Sequence, residues 1–587
     1  MPDPRRFRLR KALDIIPTGL KRRRAGGGRG CEGLMAAAKS TPIKITPLGG
    51  LGEIGLNLMV VEHGDEAILI DAGVMFAPES ALGGGLMLPD LRYLAQARPH
   101  LAGIILTHAH EDHIGALPFV LRQFPAPVYG SKVTLAFVRR SLAEDGLGGA
   151  DLREFAAGRE ISLGPFRVEP IAVTHSTPDS IALAIRTPGA LLVHSGDFKI
   201  DPAPVDGAPF DTERFARLGE EGVDLLLSDS TNVERPGRTG SESSIRPVLR
   251  ELMARTRGRF FLSSFSSHLH RIRQVAEVAH EFGRRVAPLG RRMAESVRIG
   301  QETGQLSLPP GTFIERAEAD FLERRRLVFL TSGSQGEPSS AMARLAADNY
   351  PQAHIDDGDA VVLSSRFIPG NERVINAMVN SLCKRGADVF YDAVAPVHVS
   401  GHASRDELVE LVRLVRPRHF APIHGEYRHL VRHRALAIEA GVPAANCYLL
   451  EDGDSLILEN GVARRGRPVP VGRIFADGEE LGDPVLVRER RALAHDGAVI
   501  AMLAISARNG RVVAGPELIS RGVVPGDGAS PHLARARAEL AARIRGMGGR
   551  PDDDITRLKD EMVRVLRRYF ADAINRRPLI VPHVMEV

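Results

Sequence analysis

The sequence predicts an α/β protein in which one layered domain is split by an inserted α/β domain and followed by a small C-terminal unit. From about residue 43, apolar runs of strand length alternate with turns and helix-length segments. Amphipathic helices separated by short strands then dominate residues 240–388. Strand patterns like those of the first region return after them. A domain interrupted by an insertion produces this order.

The individual elements follow from apolar periodicity. In the first region, strands are predicted at KITPLGG, NLMVVE, EAILID, AGIILTH, PVYGS, RVEPIAVTH, ALLVHSGD and VDLLLSD, with helices at LPFVLRQF and SKVTLAFVRRSLAED. In the insertion, the helices include SIRPVLRELMARTR and HRIRQVAEVAHEF, and the strands GRFFLSSF, RLVFLTSG and AVVLSS. ADVFYDAV, HFAPIHGE and NCYLLEDGDSLIL are assigned to the returning domain. GVARRGRPVPVGR is interpreted as a linker, and DDDITRLKDEMVRVLRRYFADAINRR as the last helix.

Composition narrows the class of protein. Of its 587 residues, 43% are hydrophobic and 25% charged, which is ordinary for a soluble globular protein. No apolar run reaches the roughly 18 residues that span a bilayer, so no membrane association is expected. Cys31, Cys383 and Cys447 form no CxxC pair, which fits a reducing cytoplasm. Any bound metal must therefore be held by His, Asp and Glu.

The basic charge belongs to the N-terminal tail. Residues 1–40 carry eleven Lys/Arg and three acidic residues, a net charge of +8 against +5 for the whole chain, which leaves −3 for the rest. The tail reads as disordered. It could bind nucleic acid or direct targeting, or it could be upstream sequence ahead of a start at Met35.

The glycine-rich stretch GGLGEIG imitates a dinucleotide fingerprint, with Asp71 following at a strand end. A nucleotide-binding unit needs a helix between them. The intervening sequence instead predicts a hairpin, strand–HGD–strand, so the glycines are expected to shape a tight turn.

The stretch THAHEDHIGAL at 107–117 crowds His108, His110, Asp112 and His113 directly after a predicted strand. Imidazoles and carboxylates in this pattern are typical of a site for Zn²⁺ or a similar ion. Further acids and histidines also end apolar runs, and strand ends at one edge of a sheet converge in space: Asp71, His175, Asp197, Asp229 and His424. Each alone could be a core histidine or a turn cap. Together with HAHEDH, they predict a metal site.

The ordered series GGLGEIG, ILIDAG, THAHEDHIGALPF, HSGDFKID, SDSTNVERPG, TSGSQGEP, HVSGHAS and PIHGEYRHL resembles the ribonuclease J family from about residue 44 to the C-terminus. The resemblance implies a metallo-β-lactamase αββα sandwich, an inserted β-CASP α/β domain and a small α+β C-terminal domain. The implied boundaries are 1–40 for the tail, 41–234 and 389–460 for the sandwich, 235–388 for the insertion, 461–475 for a linker and 476–587 for the last domain.

The resemblance also implies two metal ions per subunit, as Zn²⁺ with Mn²⁺ or Mg²⁺ as alternatives. His108, His110 and His175 would hold one ion. Asp112, His113 and His424 would hold the other, and Asp197 would bridge them. Asp71 and Asp229 would orient these side chains.

For the chemistry, the metals, with Asp197 and Asp112 among their ligands, would supply hydroxide. His402 is the candidate donor of a proton to the departing 3′ oxygen. The small polar loop His398, Val399, Ser400, Gly401 and His402, with Ser364 and Ser365, is expected to surround a phosphate. The resemblance implies 5′-to-3′ exonuclease action on single-stranded RNA with a 5′-monophosphate, some internal cleavage, and roles in mRNA decay and rRNA maturation.

Other expectations concern surfaces and partners. Basic runs at 284–292, 323–326 and 412–419 are candidate RNA contacts. A homodimer or homotetramer is expected. Two departures from the family pattern are His268, where Asn is common, and a shortened turn near Asp477, which puts a family Ca²⁺ site in doubt.

Two competing interpretations are a small-molecule hydrolase of the lactamase or lactonase kind on the same metal core, and an RNA-binding scaffold that has lost its metals. The large insertion disfavours the first, and the complete set of seven predicted ligands disfavours the second.

Overall fold

The computed structural model describes residues 41–76, 85–368, 370–477, 480–482, 484–509, 511–525, 530–545 and 554–587. The predicted tail, 1–40, lies outside them. The described chain forms two compact units: one holds residues 41–75 and Leu88–Arg473, and the other holds Phe76–Met87 and Ile474–Val587.

Two sheets form the centre of the larger unit. The eight-stranded sheet orders Val462–Arg465, Leu456–Glu459, Ile43–Gly49, Leu58–His63, Glu66–Ile70, His100–Ile105, Val128–Gly130 and Leu152–Glu154. The six-stranded sheet orders Ile161–Leu163, Phe166–Ala172, Ile181–Thr187, Ala190–His194, Leu225–Asp229 and His419–Ile423. A short parallel pair joins Leu51–Gly52 to Gly425–Glu426.

Apolar side chains from the facing sides of both sheets form one buried core, for example Ile45, Val61, Ile68, Leu183 and Leu227. The outer face of each sheet packs on helices through its own core. The helices of this layered domain are Arg92–Ala97, Glu111–Ile114, Leu117–Gln123, Lys132–Glu144, Thr212–Glu221, Arg405–Val415 and Tyr427–Glu439, with a 3₁₀ turn at Ala444–Asn446. The predicted αββα sandwich is confirmed.

The GxGxxG stretch opens the predicted hairpin. Leu58–His63 and Glu66–Ile70 pair antiparallel, with His63 opposite Glu66 across a two-residue turn. Residues 64 and 65 alone separate the two strands, so the predicted hairpin is confirmed.

The insertion is a three-layer α/β domain around a parallel sheet. The strand order is Arg285–Pro288, Leu327–Thr331, Phe260–Ser263, Ala360–Leu363 and Asp388–Phe390. The helices are Ile245–Arg255, Leu269–Glu281, Arg291–Thr303, Arg316–Ala319, Ala341–Ala346 and Glu372–Lys384, with 3₁₀ turns at Glu242–Ser244 and Arg324–Arg326. Apolar cores cover both faces of the sheet, as parallel strands require.

Two sequence assignments were wrong. ADVFYDAV was placed in the returning domain, but Asp388–Phe390 pairs in parallel with Ala360–Val362 in the inserted sheet. The predicted linker begins with a strand, since Val462–Arg465 forms a hairpin with Leu456–Glu459. Asn460 and Gly461, with φ of 52° and 75°, make the turn. An Asn-Gly pair favours a two-residue hairpin turn, a signal that the proline-rich sequence after it obscured.

The smaller unit contains the sheet Val512–Arg521, Ala498–Ile505 and Leu579–Glu586, whose inner face packs on helices Pro531–Arg545 and Asp554–Ile574. It also contains helix Pro484–Asp496 and strand Glu480–Gly482, which pairs antiparallel with residues 475–477 of strand Arg473–Asp477. The short strands Met75–Phe76 and Leu86–Pro89 lie where the chain passes from one unit to the other. The predicted small α+β C-terminal domain is confirmed. The side chain of Asp477, named for the doubtful Ca²⁺ site, lies outside the described ones.

Among the described residues, no helix has both the length and the apolar character needed to cross a bilayer.

Candidate metal centre and anion-binding loop

The loop after strand His100–Ile105 carries the first half of the site. The chain stays extended through His110, which has φ −77° and ψ 148° and precedes the short helix Glu111–Ile114. His108 and His110 therefore turn to the same side, and the Nε2 atom of His108 lies 3.0 Å from the Nδ1 atom of His110. His113 on the helix turns back towards them, with its ring centre 4.1 Å from that of His108.

The remaining side chains lie at strand ends next to this loop. The Nε2 atom of His175 lies 3.2 Å from Nδ1 of His110. His108, His110, His175 and Asp197 present ligand atoms within 4.8 Å of one another, and so do Asp112, His113 and His424. All seven predicted ligands thus meet, although His424 lies more than two hundred residues after Asp197.

Asp197 lies between the two groups. Its Oδ2 atom is 3.3 Å from Nε2 of His113, 3.4 Å from Nε2 of His424 and 3.7 Å from Nε2 of His108. That oxygen is buried and has no hydrogen-bond partner in the described chain. A buried carboxylate oxygen without a partner costs free energy. Its place among several imidazole nitrogens fits an oxygen that binds cations.

Hydrogen bonds on the far side of each ring fix which nitrogen faces the centre. The Nδ1–H of His113 donates to Asp71 Oδ2 over 2.8 Å, and that of His175 donates to the carbonyl oxygen of Gly401 over 2.8 Å. Carboxylate and carbonyl oxygens only accept, so Nδ1 of His113 and of His175 carries a proton and Nε2 points inwards, where it can bind a cation.

Asp71 also anchors the loop, because its Oδ1 accepts from the backbone N–H of Thr107 over 2.8 Å. The backbone of Asp71 and His424 lies in the left-handed region, with φ of 61° and 50°. Such conformations cost roughly 1 kcal/mol or more each. Both flank the centre, where the surrounding contacts hold them.

Asn57 is a residue of the site that the sequence did not suggest. Its Oδ1 atom lies 3.0 Å from Nδ1 of His424, and its side-chain amide donates to the carbonyl oxygen of Asp112 over 3.0 Å. Its only sequence signal is its position directly after the GGLGEIG turn.

Electrostatics keeps three of the rings neutral. Burial lowers the pKa of His108 well below its usual range, and the neighbouring His113 lowers it further. Burial likewise lowers the pKa of His110 to about 4 and that of His175 well below its usual value. Neutral imidazole is the form that binds metal ions. Burial also opposes charge on His113, but Asp197, Asp112 and Asp71 together raise its pKa well above the usual value.

His402 stands beside the same centre and pairs with Asp229. Its Nδ1 atom lies 2.9 Å from Asp229 Oδ2, while Asp229 Oδ1 accepts from the backbone and the hydroxyl of Thr231. Burial opposes charge on His402, yet Asp229 outweighs it and raises the pKa of His402 to about 9. A protonated imidazole therefore borders the cluster of candidate ligands at neutral pH.

The loop His398–His402 joins this centre through Gly401. A side-chain carbon at Gly401 would lie 2.7 Å from Cε1 of His175, so only glycine permits the approach. The backbone N–H groups of residues 398–401 donate to no acceptor among the described residues. The Nδ1 atom of His398 is buried and also lacks a partner there. Val399 packs on the core of the insertion, while Ser400 accepts from the backbone N–H of His402.

Ser364 and Ser365 are buried beneath this loop. The hydroxyl of Ser364 donates to the carbonyl oxygen of Val397 over 2.6 Å, and that of Ser365 accepts from the Gln335 amide over 2.9 Å. Both hydroxyls are therefore engaged inside the protein, and Ser364 supports the loop through the carbonyl oxygen of Val397.

Two arginines that the sequence analysis overlooked lie near the loop. Arg366 has a buried Nε without a hydrogen-bond partner in the described chain and donates through Nη1 to Asn232. Burial and then the charge of Arg235 lower its pKa to about 10. Burial, followed by the charges of Arg271, Arg366, Lys199 and Arg235, lowers the pKa of His398 well below its usual value. Positive charge thus gathers around free N–H donors, which suits an anion.

The predicted basic runs are mostly engaged within the protein. Arg284 is buried and donates to the carbonyl oxygens of Gly258 and Thr256, and Arg324 pairs with Asp359 at 2.9 Å. Arg418 in the third run pairs with Asp224 at 3.0 Å. His268 is also buried, with neither ring nitrogen hydrogen-bonded in the described chain.

Comparisons with known proteins agree with this architecture. Family models match the metallo-β-lactamase superfamily over residues 51–234, the ribonuclease J β-CASP domain over 257–382, the Zn-dependent metallo-hydrolase RNA specificity domain over 389–449 and the ribonuclease J C-terminal domain over 485–587. Together with the two groups of His and Asp side chains, the superfamily match indicates a di-metal site.

Curated relatives match along most of the chain. Ribonuclease J from Helicobacter pylori is 37% identical over 547 residues, which cover 92% of this chain and 79% of that protein. Ribonuclease J 1 from Streptococcus pyogenes is 36% identical, with 93% and 98% covered, and ribonuclease J from Mycobacterium tuberculosis is 38% identical, with 93% and 97% covered. The chain belongs to the ribonuclease J family.

Proposed function

We propose that this metal-dependent ribonuclease degrades single-stranded RNA from a 5′-monophosphate end in the 5′-to-3′ direction, with some internal cleavage, and acts in mRNA decay and rRNA maturation. The observation that carries the proposal is the junction at Gly401. There a cluster of candidate metal ligands meets a loop whose backbone N–H groups, at residues 398–401, donate to no acceptor in the part of the chain that the structure describes. A substrate with phosphates spaced along a chain can occupy both places at once.

In this proposal, His108, His110 and His175 hold one metal ion and Asp112, His113 and His424 hold the other, with Asp197 shared. The unpartnered Asp197 Oδ2 and the inward-facing Nε2 atoms support this assignment. Imidazole and carboxylate ligands suit Zn²⁺, with Mn²⁺ or Mg²⁺ as alternatives. When bound, such a pair of ions supplies an activated water and neutralises charge on the phosphoryl oxygens.

His402 then acts as the general acid. Its Nδ1–H is held by Asp229, which orients the ring. Because Asp229 raises its pKa, His402 carries the proton that the departing 3′ oxygen requires. Protonation of that oxygen leaves a 3′-hydroxyl on one product and a 5′-phosphate on the other.

The loop His398–His402 binds the terminal 5′-phosphate. Its free N–H groups, the imidazole of His398 and the nearby Arg366 and Arg235 supply donors and positive charge. Ser364 contributes by supporting the loop through Val397, whereas the hydroxyl of Ser365 is engaged with the Gln335 amide. A monophosphate terminus places its charge in this pocket, whereas a triphosphate adds two bulky anionic groups.

The test uses one RNA sequence with a 5′-monophosphate, a 5′-triphosphate or a 5′-hydroxyl, and the matching DNA, each with and without chelator. Chelator-sensitive release of mononucleotides from the monophosphorylated RNA, faster than from the other substrates, is expected. Equal rates on all RNA ends would contradict the proposed pocket. Rapid turnover of nitrocefin or a lactone with inert RNA would favour the small-molecule hydrolase.

We further expect a cytoplasmic homodimer or homotetramer. In the C-terminal sheet, Ile500 stands opposite Ile519 and Val581 on the two neighbouring strands, and all three side chains are more than a third exposed. An exposed row of apolar side chains supports self-association. Light scattering of the purified chain measures the mass, and a monomer would contradict the expectation.

A further inference from the structure

A chain of buried charges lies beneath the loop His398–His402. The ammonium of Lys199 lies 3.1 Å from Asp201 Oδ2, and the same oxygen accepts from the backbone N–H of Glu242 over 2.8 Å. Glu242 Oε1 in turn accepts from Nε of Arg271 over 2.8 Å, with Nη2 at 2.7 Å. All four side chains are buried.

The other edge of the Arg271 guanidinium reaches the base of the loop. Its Nη1 donates to the carbonyl oxygen of Val397 over 2.9 Å and contacts the hydroxyl of Ser364. That hydroxyl donates to the same carbonyl oxygen over 2.6 Å. Arg271 therefore ties its helix, Leu269–Glu281, to the end of strand Ala360–Leu363 and to the residue just before His398.

The two carboxylates of this chain, Asp201 and Glu242, face a cavity, and its two cations, Lys199 and Arg271, lie on the side of the loop. Asp201 and Glu242 line a cavity of about 360 Å³ whose wall also holds Asp206, Asp179 and Lys132, whereas Lys199 and Arg271 are not part of that wall. The two cations are instead near enough to His398 to lower its pKa, after the effect of burial. The carboxylates hold the cations from one side, and the cations direct positive charge to the loop on the other.

The buried pair of Arg271 and Glu242 adds little net stability, because the desolvation of both charges offsets much of their attraction. The guanidinium of Arg271 nevertheless makes hydrogen bonds that an apolar side chain could not make. It fixes the Val397 carbonyl from below and leaves the N–H groups of residues 398–401 free. A preformed set of donors binds an anion without the cost of ordering the loop.

We propose that Arg271, held by Glu242, is a positioning residue for the 5′ end of the substrate: it fixes the conformation of the loop that receives the terminal phosphate. This inference rests on the proposed function. It adds that discrimination between 5′ ends depends on a side chain that does not itself touch the RNA.

The experiment measures kcat and KM of the metal-loaded full chain on the same RNA with a 5′-monophosphate and with a 5′-hydroxyl. Arg271→Lys keeps the charge, but one ammonium cannot contact Glu242 and Val397 together. Glu242→Gln keeps the shape and removes the charge that holds Arg271, and it gives the answer if Arg271→Lys does not fold. Arg259→Lys is the matched control, since Arg259 pairs with the buried Asp359 at the opposite end of the same parallel sheet.

Both test variants should lower the kcat/KM ratio of monophosphate to hydroxyl RNA about tenfold or more, chiefly through KM of the monophosphorylated RNA. The hydroxyl substrate should change less than about threefold, and the control should keep the wild-type ratio. Equal losses on both substrates, or an unchanged ratio, would overturn the inference while leaving the pocket intact. A wild-type chain that does not discriminate between the two ends would overturn the proposed function as well.

Discussion

In the proposed function, the metal cluster (the metal half) and the loop His398–His402 (the anion half) recognise phosphate by different means. In the metal half, seven imidazole and carboxylate side chains converge from strand ends of the sandwich. In the anion half, the donors are backbone N–H groups of residues 398–401, and buried side chains such as Arg271 and Ser364 hold them in place. The metal half depends on which residues are present, whereas the anion half depends mainly on how the chain is held.

This difference explains what the sequence could predict. Histidine is an uncommon residue, so HAHEDH and the isolated His175 and His424 stand out, and parallel strand ends must meet at one sheet edge. The backbone N–H groups of the loop leave no mark in residue identity. The small polar residues of HVSGHAS predicted a phosphate site, and only the family resemblance pointed to the 5′ end of RNA. Arg271 and Arg366 look like any other arginine until the fold buries the first and leaves Nε of the second without a hydrogen-bond partner among the described residues.

The same contrast holds for the fold. A layered domain of strands and helices and a separate α/β insertion were predicted from apolar periodicity, whereas the αββα arrangement was implied by the family resemblance. Strand Asp388–Phe390 was assigned to the wrong sheet because apolar pattern reports burial, not partners. Asn57 links Asp112 and His424, two ligands of the same proposed ion, yet an asparagine after a glycine turn has many ordinary roles.

The largest expected effect tests the metal half. His110→Ala removes an inward-facing ligand without altering the fold, so cleavage of monophosphate and hydroxyl RNA should both fall by roughly a thousandfold or more. Rates on the two substrates and bound metal per chain are the measurements. His354→Ala, at an exposed histidine paired with Asp348, serves as control. Wild-type activity in His110→Ala would refute the ligand assignment.

A smaller effect is expected for His402, the proposed general acid beside the metal half. Asp229→Asn leaves a partner of the same shape for His402 but removes the charge that raises its pKa to about 9. The wild-type rate should fall as pH rises through about 9, where His402 loses its proton. In the variant, this alkaline limb should move to lower pH, and kcat at pH 8 should fall about tenfold to a hundredfold.

The pH–rate profiles of both proteins, at matched metal content, decide this prediction. Both RNA ends should be affected equally, since His402 acts at the scissile bond. An unmoved alkaline limb would exclude His402 as the general acid, and a change confined to monophosphorylated RNA would assign it to the anion half.

The anion half should respond more weakly and selectively. Arg366→Ala removes a guanidinium with an unpartnered Nε beside the loop. The kcat/KM for monophosphorylated RNA should fall about tenfold, with little change on hydroxyl RNA. Arg373→Ala, at an exposed arginine of the same domain, is the matched control. Equal losses on both substrates would mean that Arg366 serves the scissile phosphate or the fold.

The smallest expected effect is on stability, at the contact between Glu53 and Gly425 that lies next to His424 of the metal half. Glu53 bridges the backbone of Gly425, next to His424, and its carboxyl group lies against Asp452. Burial and then Glu53 raise the pKa of Asp452 to about 7. An acid with a raised pKa holds its proton more tightly when folded, so stability should fall as pH rises from about 4, where the unfolded group titrates, to about 7.

Asp452→Asn cannot ionise. Its amide oxygen can still accept the hydrogen bond that Asp452 Oδ1 accepts in the wild type from the backbone N–H of Leu51, over 3.0 Å. The melting temperature of the variant should therefore exceed that of the wild type by about 2 °C at pH 8 and by less at pH 5. Asp388→Asn, at an exposed position, should follow the wild-type curve. Parallel curves for Asp452→Asn and wild type would mean that this pair keeps its charge, and that a carboxylate–arginine contact of Glu53 with Arg473 dominates the turn beneath His424.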